Sequence, residues 1–108
     1  MPDHVLCRFD QLVEGRGRPA RAGHLYLAVF LVEGRVYVVE NQCLHVGSPL
    51  DAGPVVDGRI LCPWHGWAYD LETGSLHTMF GDRPGIRAFP ARVEGGEVKV
   101  TVDAAVRD

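Results

Sequence analysis

Two short segments, Cys43-Leu44-His45 and Cys62-Pro63-Trp64-His65, each offer one thiol and one imidazole from a single tight loop, with residues 46–61 between them. This is the spacing of ligands rather than of a core, and it governs what the stretch from Asn41 to Asp70 can become. The chain has three cysteines. With Cys7 outside both segments, a disulfide would either use up a ligand or reach another molecule. A metal site is therefore the first reading.

The rest of the composition narrows the setting. A chain of 108 residues fits one domain, residues 1–108, and its 46% hydrophobic and 23% charged content is that of a folded protein. The net charge of −3, with ten scattered arginines and one lysine, leaves no basic surface for nucleic acid; Arg16, Arg18 and Arg21 read as a solvated loop. The longest apolar run, Leu25 to Val32, is far short of the roughly 20 residues that cross a bilayer, so it reads as a buried strand and no membrane partner is expected. The start, MPDHVLCRFD, has neither a basic nor an apolar leader region. A cytoplasmic location follows as the expectation, and there thiols stay reduced and available for metal.

Taken in order, His4 to Phe9 reads as a strand followed by a turn at Asp10 to Glu14, with Asp10 as its cap. Cys7 reads as an inert core residue. Glu14 to Gly23, with three glycines and Pro19, reads as a mobile connector or a weak edge strand, and His24 as structural or solvated. Leu25–Val32 and Arg35–Glu40 form a hairpin about Glu33-Gly34, and its second strand runs straight into the first ligand loop. Val55-Val56 and Ile60-Leu61 flank Asp57-Gly58 as a second hairpin, and Trp67 to Leu71 is the next strand. Ser75 to Pro90, broken by Gly81, Pro84 and Gly85, reads as an irregular loop carrying His77. Ala91–Val93 and Val98–Val102 close the chain as a hairpin, with Val98, Val100 and Val102 on one face and a frayed tail beyond. With no long helical periodicity, the fold is mostly antiparallel β.

Thiolate with imidazole suits zinc, or an iron-sulfur cluster in which histidine replaces some cysteines. Zinc fingers usually group like ligands on each arm, whereas here each arm is mixed. Mixed arms make sense when two irons are served, each loop giving its cysteine to one and its histidine to the other. At this point Cys43-x-His45, a loop, then Cys62-Pro63-x-His65-Gly66 resembles the Rieske [2Fe-2S] family, and Trp64-His65-Gly66-Trp67 is most similar to its ferredoxin and oxygenase branches.

The resemblance implies a Rieske-type antiparallel β-sandwich with a small cluster-binding subdomain, about residues 41–70, formed by the two ligand loops. It further implies that Cys43 and Cys62 hold the buried iron and His45 and His65 the outer one. Two ferric ions, two sulfides and two thiolates sum to zero charge. An electron is then added more easily than to an all-cysteine cluster, the basis for potentials of about −150 to +300 mV against about −400 mV. High-potential members also carry a disulfide between the loops and a serine donor; Ser48, Trp64 and Trp67 stand at the matching positions here, which implies a low to middle potential.

Tyr69 matches a tyrosine whose hydroxyl can donate to a cysteine sulfur, its alternative being an ordinary strand aromatic. Gly47 and Gly66 read as places where backbone amides approach the cluster sulfurs, since a β-carbon would crowd the loops, Pro63 as fixing its loop, and Trp64 and Trp67 as covers over the cluster or as core aromatics. If His45 and His65 are ligands, their outer nitrogens lose a proton more readily in the oxidised cluster, so the potential falls as pH rises past those ionisations.

A cluster whose ligand positions are all filled has no place for a small-molecule substrate, so the expected role is one-electron transfer, not catalysis. The expected partners are a reductase and a terminal oxygenase. The alternatives are the small subunit of an assimilatory nitrite reductase or other multi-subunit oxidoreductase, a redox-sensing or structural module and, more remotely, a zinc-binding interaction module.

Overall fold

A computed structural model describes residues 3–44, 47–64 and 66–101. Twelve strands run β1 Asp3–Arg8, β2 Gly17–Ala22, β3 Leu25–Val32, β4 Arg35–Glu40, β5 Val55–Val56, β6 Arg59–Leu61, β7 Ala68–Asp70, β8 Leu76–Thr78, β9 Gly81–Arg83, β10 Ala88–Phe89, β11 Ala91–Glu94 and β12 Glu97–Thr101, with one 3-10 turn at Phe9–Gln11. They form three antiparallel sheets: A in the order β1-β12-β11, B in the order β10-β4-β3-β2, and C in the order β5-β6-β7-β8-β9. Among the described residues no helix is long and apolar enough to cross a membrane.

Sheet B is the middle layer, which explains the unbroken apolar run of β3. Leu25, Leu27 and Val29 pack into one core with Cys7, Val98 and Val100 of sheet A, while Ala28 and Phe30 enter a second core with Ile60 and Tyr69 of sheet C. A strand buried on both faces cannot alternate apolar with polar. The second core also takes in Cys43, Cys62 and Leu50, so the expected ligand region is built onto the face of sheet B that sheet A does not cover.

Turn chemistry sets the hairpins. Glu33-Gly34 and Asp57-Gly58 both have positive φ at their two central positions, 51° and 80° in the first and 52° and 75° in the second. That geometry matches the right-handed twist of the strands it joins.

Of the two readings open for Glu14 to Gly23, the edge strand holds: Gly17–Ala22 pairs along its length with β3 at the edge of sheet B, where Pro19 is tolerated. Three expectations change. Ser75 to Pro90 is not irregular: β8 and β9 extend sheet C past Asp70 to Arg83, and β10 joins the edge of sheet B beside β4. The strand expected over Trp67 to Leu71 is shorter, Ala68–Asp70. Asp10 does not cap its turn: its carboxylate pairs with Arg8, and the Gln11 side chain accepts the Arg8 N–H instead. Val102 and the tail lie outside the described residues.

Candidate metal centre

Loop 1, residues 43–48, leaves β4 through Asn41 and Gln42, and loop 2, residues 62–67, joins β6 to β7. The two backbones close in the same way. In loop 1 the Cys43 N–H donates to the Ser48 carbonyl at 2.8 Å, and the Gly47 N–H donates to the Cys43 carbonyl at 2.7 Å. In loop 2 the Cys62 N–H donates to the Trp67 carbonyl at 2.7 Å, and the Gly66 N–H to the Cys62 carbonyl at 2.9 Å. Each cysteine therefore sits at the base of a six-residue turn closed over itself, with a glycine at the fifth place. Histidine is third in loop 1 and fourth in loop 2.

Gly47 and Gly66 hold φ of 73° and 72°, yet an added Cβ at either would meet no described atom within 4 Å. No described atom crowds either position, and the backbone alone favours glycine. The left-handed φ costs any other residue about 1–2 kcal/mol.

Cys43 and Cys62 are buried, in the same core cluster, and none of the three cysteines forms a disulfide. Between the loops stands Tyr69, a fully buried residue of β7, the strand that leaves loop 2. Its hydroxyl accepts the Leu44 N–H at 2.9 Å and lies 3.4 Å from Cys43 Sγ. With a lone pair engaged by Leu44, the hydroxyl proton is directed at the sulfur whenever Cys43 is a thiolate. Burial first, then the bond to Cys43, pushes the Tyr69 hydroxyl above its ordinary value, so it remains a donor through neutral pH.

The clamp across loop 1 carries no signal in the sequence. Asn41 is the only buried polar or charged residue among those described. Its Oδ1 accepts the N–H groups of Leu50 at 2.6 Å and Asp51 at 2.9 Å, and its Nδ2 donates to Asp51 Oδ1 at 2.9 Å. Only the fold brings residues 41, 50 and 51 together, so no spacing rule could have found it.

The remaining expected site residues fall as follows. Trp64 is 74% exposed and Trp67 37% exposed, so neither is a core aromatic, and Pro63 is exposed beside them. His45 and His65 lie outside the described residues; among those described, no three His, Cys, Asp or Glu side chains gather as metal ligands. Cys7 belongs to the other core, where burial pushes its thiol up, consistent with an inert residue. His24 is exposed in the turn between β2 and β3, and His77 is exposed on strand β8, paired with Asp82 at 3.1 Å.

Residues 3–90 match the Rieske [2Fe-2S] domain family. The chain belongs to that family. Its cofactor is accordingly one Rieske [2Fe-2S] cluster, and the donor set fits: one buried thiol from each of two matched loops, in one core, with a hydroxyl donor on one of them. When bound, the cluster takes up and releases single electrons.

Among Rieske relatives, the ferredoxin component of the p-cumate 2,3-dioxygenase system of Pseudomonas putida is 32% identical over 102 residues, covering 92% of this chain and 85% of its own length. A crystal structure described as the small subunit of an NADH-dependent nitrite reductase from Mycobacterium tuberculosis superposes with a TM-score of 0.85 at 26% identity, covering 95% of this chain and 96% of that one. A chain in the complex of reduced oxygenase and oxidised ferredoxin of carbazole 1,9a-dioxygenase superposes with a TM-score of 0.78 at 29% identity, covering 91% of both. Some relatives are far longer: the chain spans 16% of apoptosis-inducing factor 3 of Mus musculus. Ferredoxin components carry electrons and are not themselves catalysts, and the chain is a carrier of that kind.

Proposed function

We propose that Cys43 and His45 of loop 1 and Cys62 and His65 of loop 2 hold the cluster, and that this single Rieske domain carries single electrons from a reductase to a terminal oxygenase in the cytoplasm. The observation that carries the ligand assignment is the matched closure of the two loops, each placing one buried cysteine in the same core. The likeness to the p-cumate ferredoxin component over most of its length supports the role.

The face that docks is the end of the molecule bearing the two loops. Leu44 and Trp64 are exposed there. Ala68 pairs with His77 and Thr78 with Gly81, so the exposed Met79 and Phe80 of the β8–β9 turn lie at the same end of sheet C as loop 2. Residues 43–50, 62–67 and 78–81 contain no Asp, Glu, Lys or Arg. Such a face matches an uncharged recess on its partner. Raising salt until the Debye length falls from about 30 Å to about 3 Å should then change the electron-transfer rate by less than about threefold.

Visible absorption and electron paramagnetic resonance of the purified protein test the site: a colourless chain with one zinc, silent after reduction, overturns it. Stopped-flow mixing tests the role, with rapid reduction by a flavoprotein reductase and reoxidation by an oxygenase as the expected result. The nitrite reductase reading is favoured by the near-complete superposition on that small subunit. Recovery in a stable complex with a large reductase subunit would establish it instead.

A further inference from the structure

A carboxamide in an apolar core needs a reason, and the geometry points to one: we infer that Asn41 is the positioning residue of the Cys43 loop, setting the distance between the loop's two ends and so the place of Cys43. This rests on the assignment of Cys43 as a cluster ligand.

The entrance to the loop is already fixed, because the Asn41 N–H donates to the Tyr26 carbonyl of β3. At the exit the Ser48 carbonyl accepts the Cys43 N–H, but no strand carries the chain from there to β5. What holds the chain just beyond Ser48 is the Asn41 side chain, which accepts two successive N–H groups on one oxygen and donates a hydrogen bond to the Asp51 carboxylate. Beneath that exit lies Gly17 of β2, where a Cβ would fall 2.5 Å from the Asp51 carbonyl, so the chain is seated as closely as a backbone allows. A primary amide supplies both parts at once, an oxygen that accepts two N–H groups and a separate N–H donor. Aspartate at this position would keep the acceptor but set a second carboxylate against Asp51, and alanine would leave both N–H groups without their acceptor.

The test compares four variants of the full chain carrying its cluster: Asn41→Ala, Asn41→Asp, the exchange Asn41→Asp with Asp51→Asn, and Val98→Ala in the core on the far side of sheet B. Three quantities are read, well below the unfolding temperature: bleaching of the visible band by an iron chelator, the reduced-state paramagnetic resonance spectrum, and the midpoint potential. Asn41→Ala should bleach at least about tenfold faster than wild type, as expected from losing more than one hydrogen bond, with a broadened spectrum and a shifted potential. Val98→Ala should lower the unfolding temperature while leaving all three quantities at wild-type values.

Asn41→Asp should bleach faster than wild type, and the exchange variant should return to within about twofold of it. In the exchange, the carboxylate introduced at position 41 can accept both N–H groups while the amide introduced at position 51 donates back to it. The inference is overturned if Asn41→Ala bleaches like wild type, if its changes merely track lost stability as those of Val98→Ala would, or if the exchange is no better than Asn41→Asp alone. Should Asn41→Ala fail to fold, the last comparison decides. A wild-type chain without the cluster signal overturns the ligand assignment, and this inference with it.

Discussion

Loop 2 leaves β6 and returns along β7, so the Leu61–Ala68 pair of the ladder holds its two ends before any side chain contributes. Loop 1 leaves β4 and returns into a stretch with no strand; beyond the Cys43–Ser48 bond that closes its turn, the Asn41 amide holds the returning chain and the Tyr69 hydroxyl holds the entrance side at Cys43 and Leu44. The cysteine turns themselves are alike in their hydrogen bonds and in the φ of their glycines. One structural unit, closed on itself by the same main-chain bonds, is thus anchored to the fold in two ways, by a strand ladder in loop 2 and by side chains in loop 1. Main-chain anchoring tolerates most substitutions, whereas side-chain anchoring can be lost in a single one.

The largest effect should be symmetric. Cys43→Ser and Cys62→Ser should each abolish the cluster, read as loss of visible absorption and of bound iron, and retention in either would break the equivalence of the loops. Next come Gly47→Ala and Gly66→Ala, which share a left-handed backbone and open space for a methyl group. Each should cost about 1–2 kcal/mol in denaturant unfolding, by similar amounts.

A one-sided effect follows with Tyr69→Phe. It removes the acceptor of the Leu44 N–H and the donor to Cys43 Sγ in loop 1 while leaving the ladder of loop 2 in place. With a hydrogen bond worth about 1 kcal/mol and about 59 mV per tenfold change for a one-electron couple, the potential should fall by a few tens of millivolts. An unmoved potential in cyclic voltammetry would remove this asymmetry.

The smallest effect serves as a control remote from both loops. Hydrogen bonding from Thr101, then from Arg92, holds the exposed Asp3 carboxyl below its ordinary value. A depressed carboxyl contributes stability that is present above the unfolded value and lost as pH falls through the folded one. Unfolding scans below about pH 4 should therefore separate wild type from Asp3→Asn less and less, with the cluster spectrum of both alike at neutral pH.

What could be read from the chain alone was whatever local chemistry determines. Glu33-Gly34 and Asp57-Gly58 carry their turn geometry in their own residues, and the eight apolar residues of β3 announce a strand covered on both faces. Paired Cys and His at matched spacing announced the family. Strands β8 and β9 are three residues each, too short for a periodic pattern, and Gly81 and Pro84 beside them read as breakers. Asn41 carried no signal of its own because its partners arrive only once residues 50 and 51 fold back. The left-handed φ of Gly47 and Gly66 carries no local signal beyond the residue type itself.

Tyr69 belongs to the strand that leaves loop 2, yet its hydroxyl is bound to loop 1. It is a rivet: neither cysteine turn can shift outward without breaking its contact or dragging the other along. For a carrier this bears on speed. An electron moves quickly only if few atoms must relocate when the charge changes, and dipoles already fixed in place need little rearrangement. With Cys43 as a cluster ligand, as proposed, the same phenol should also keep the reorganisation energy of the site low.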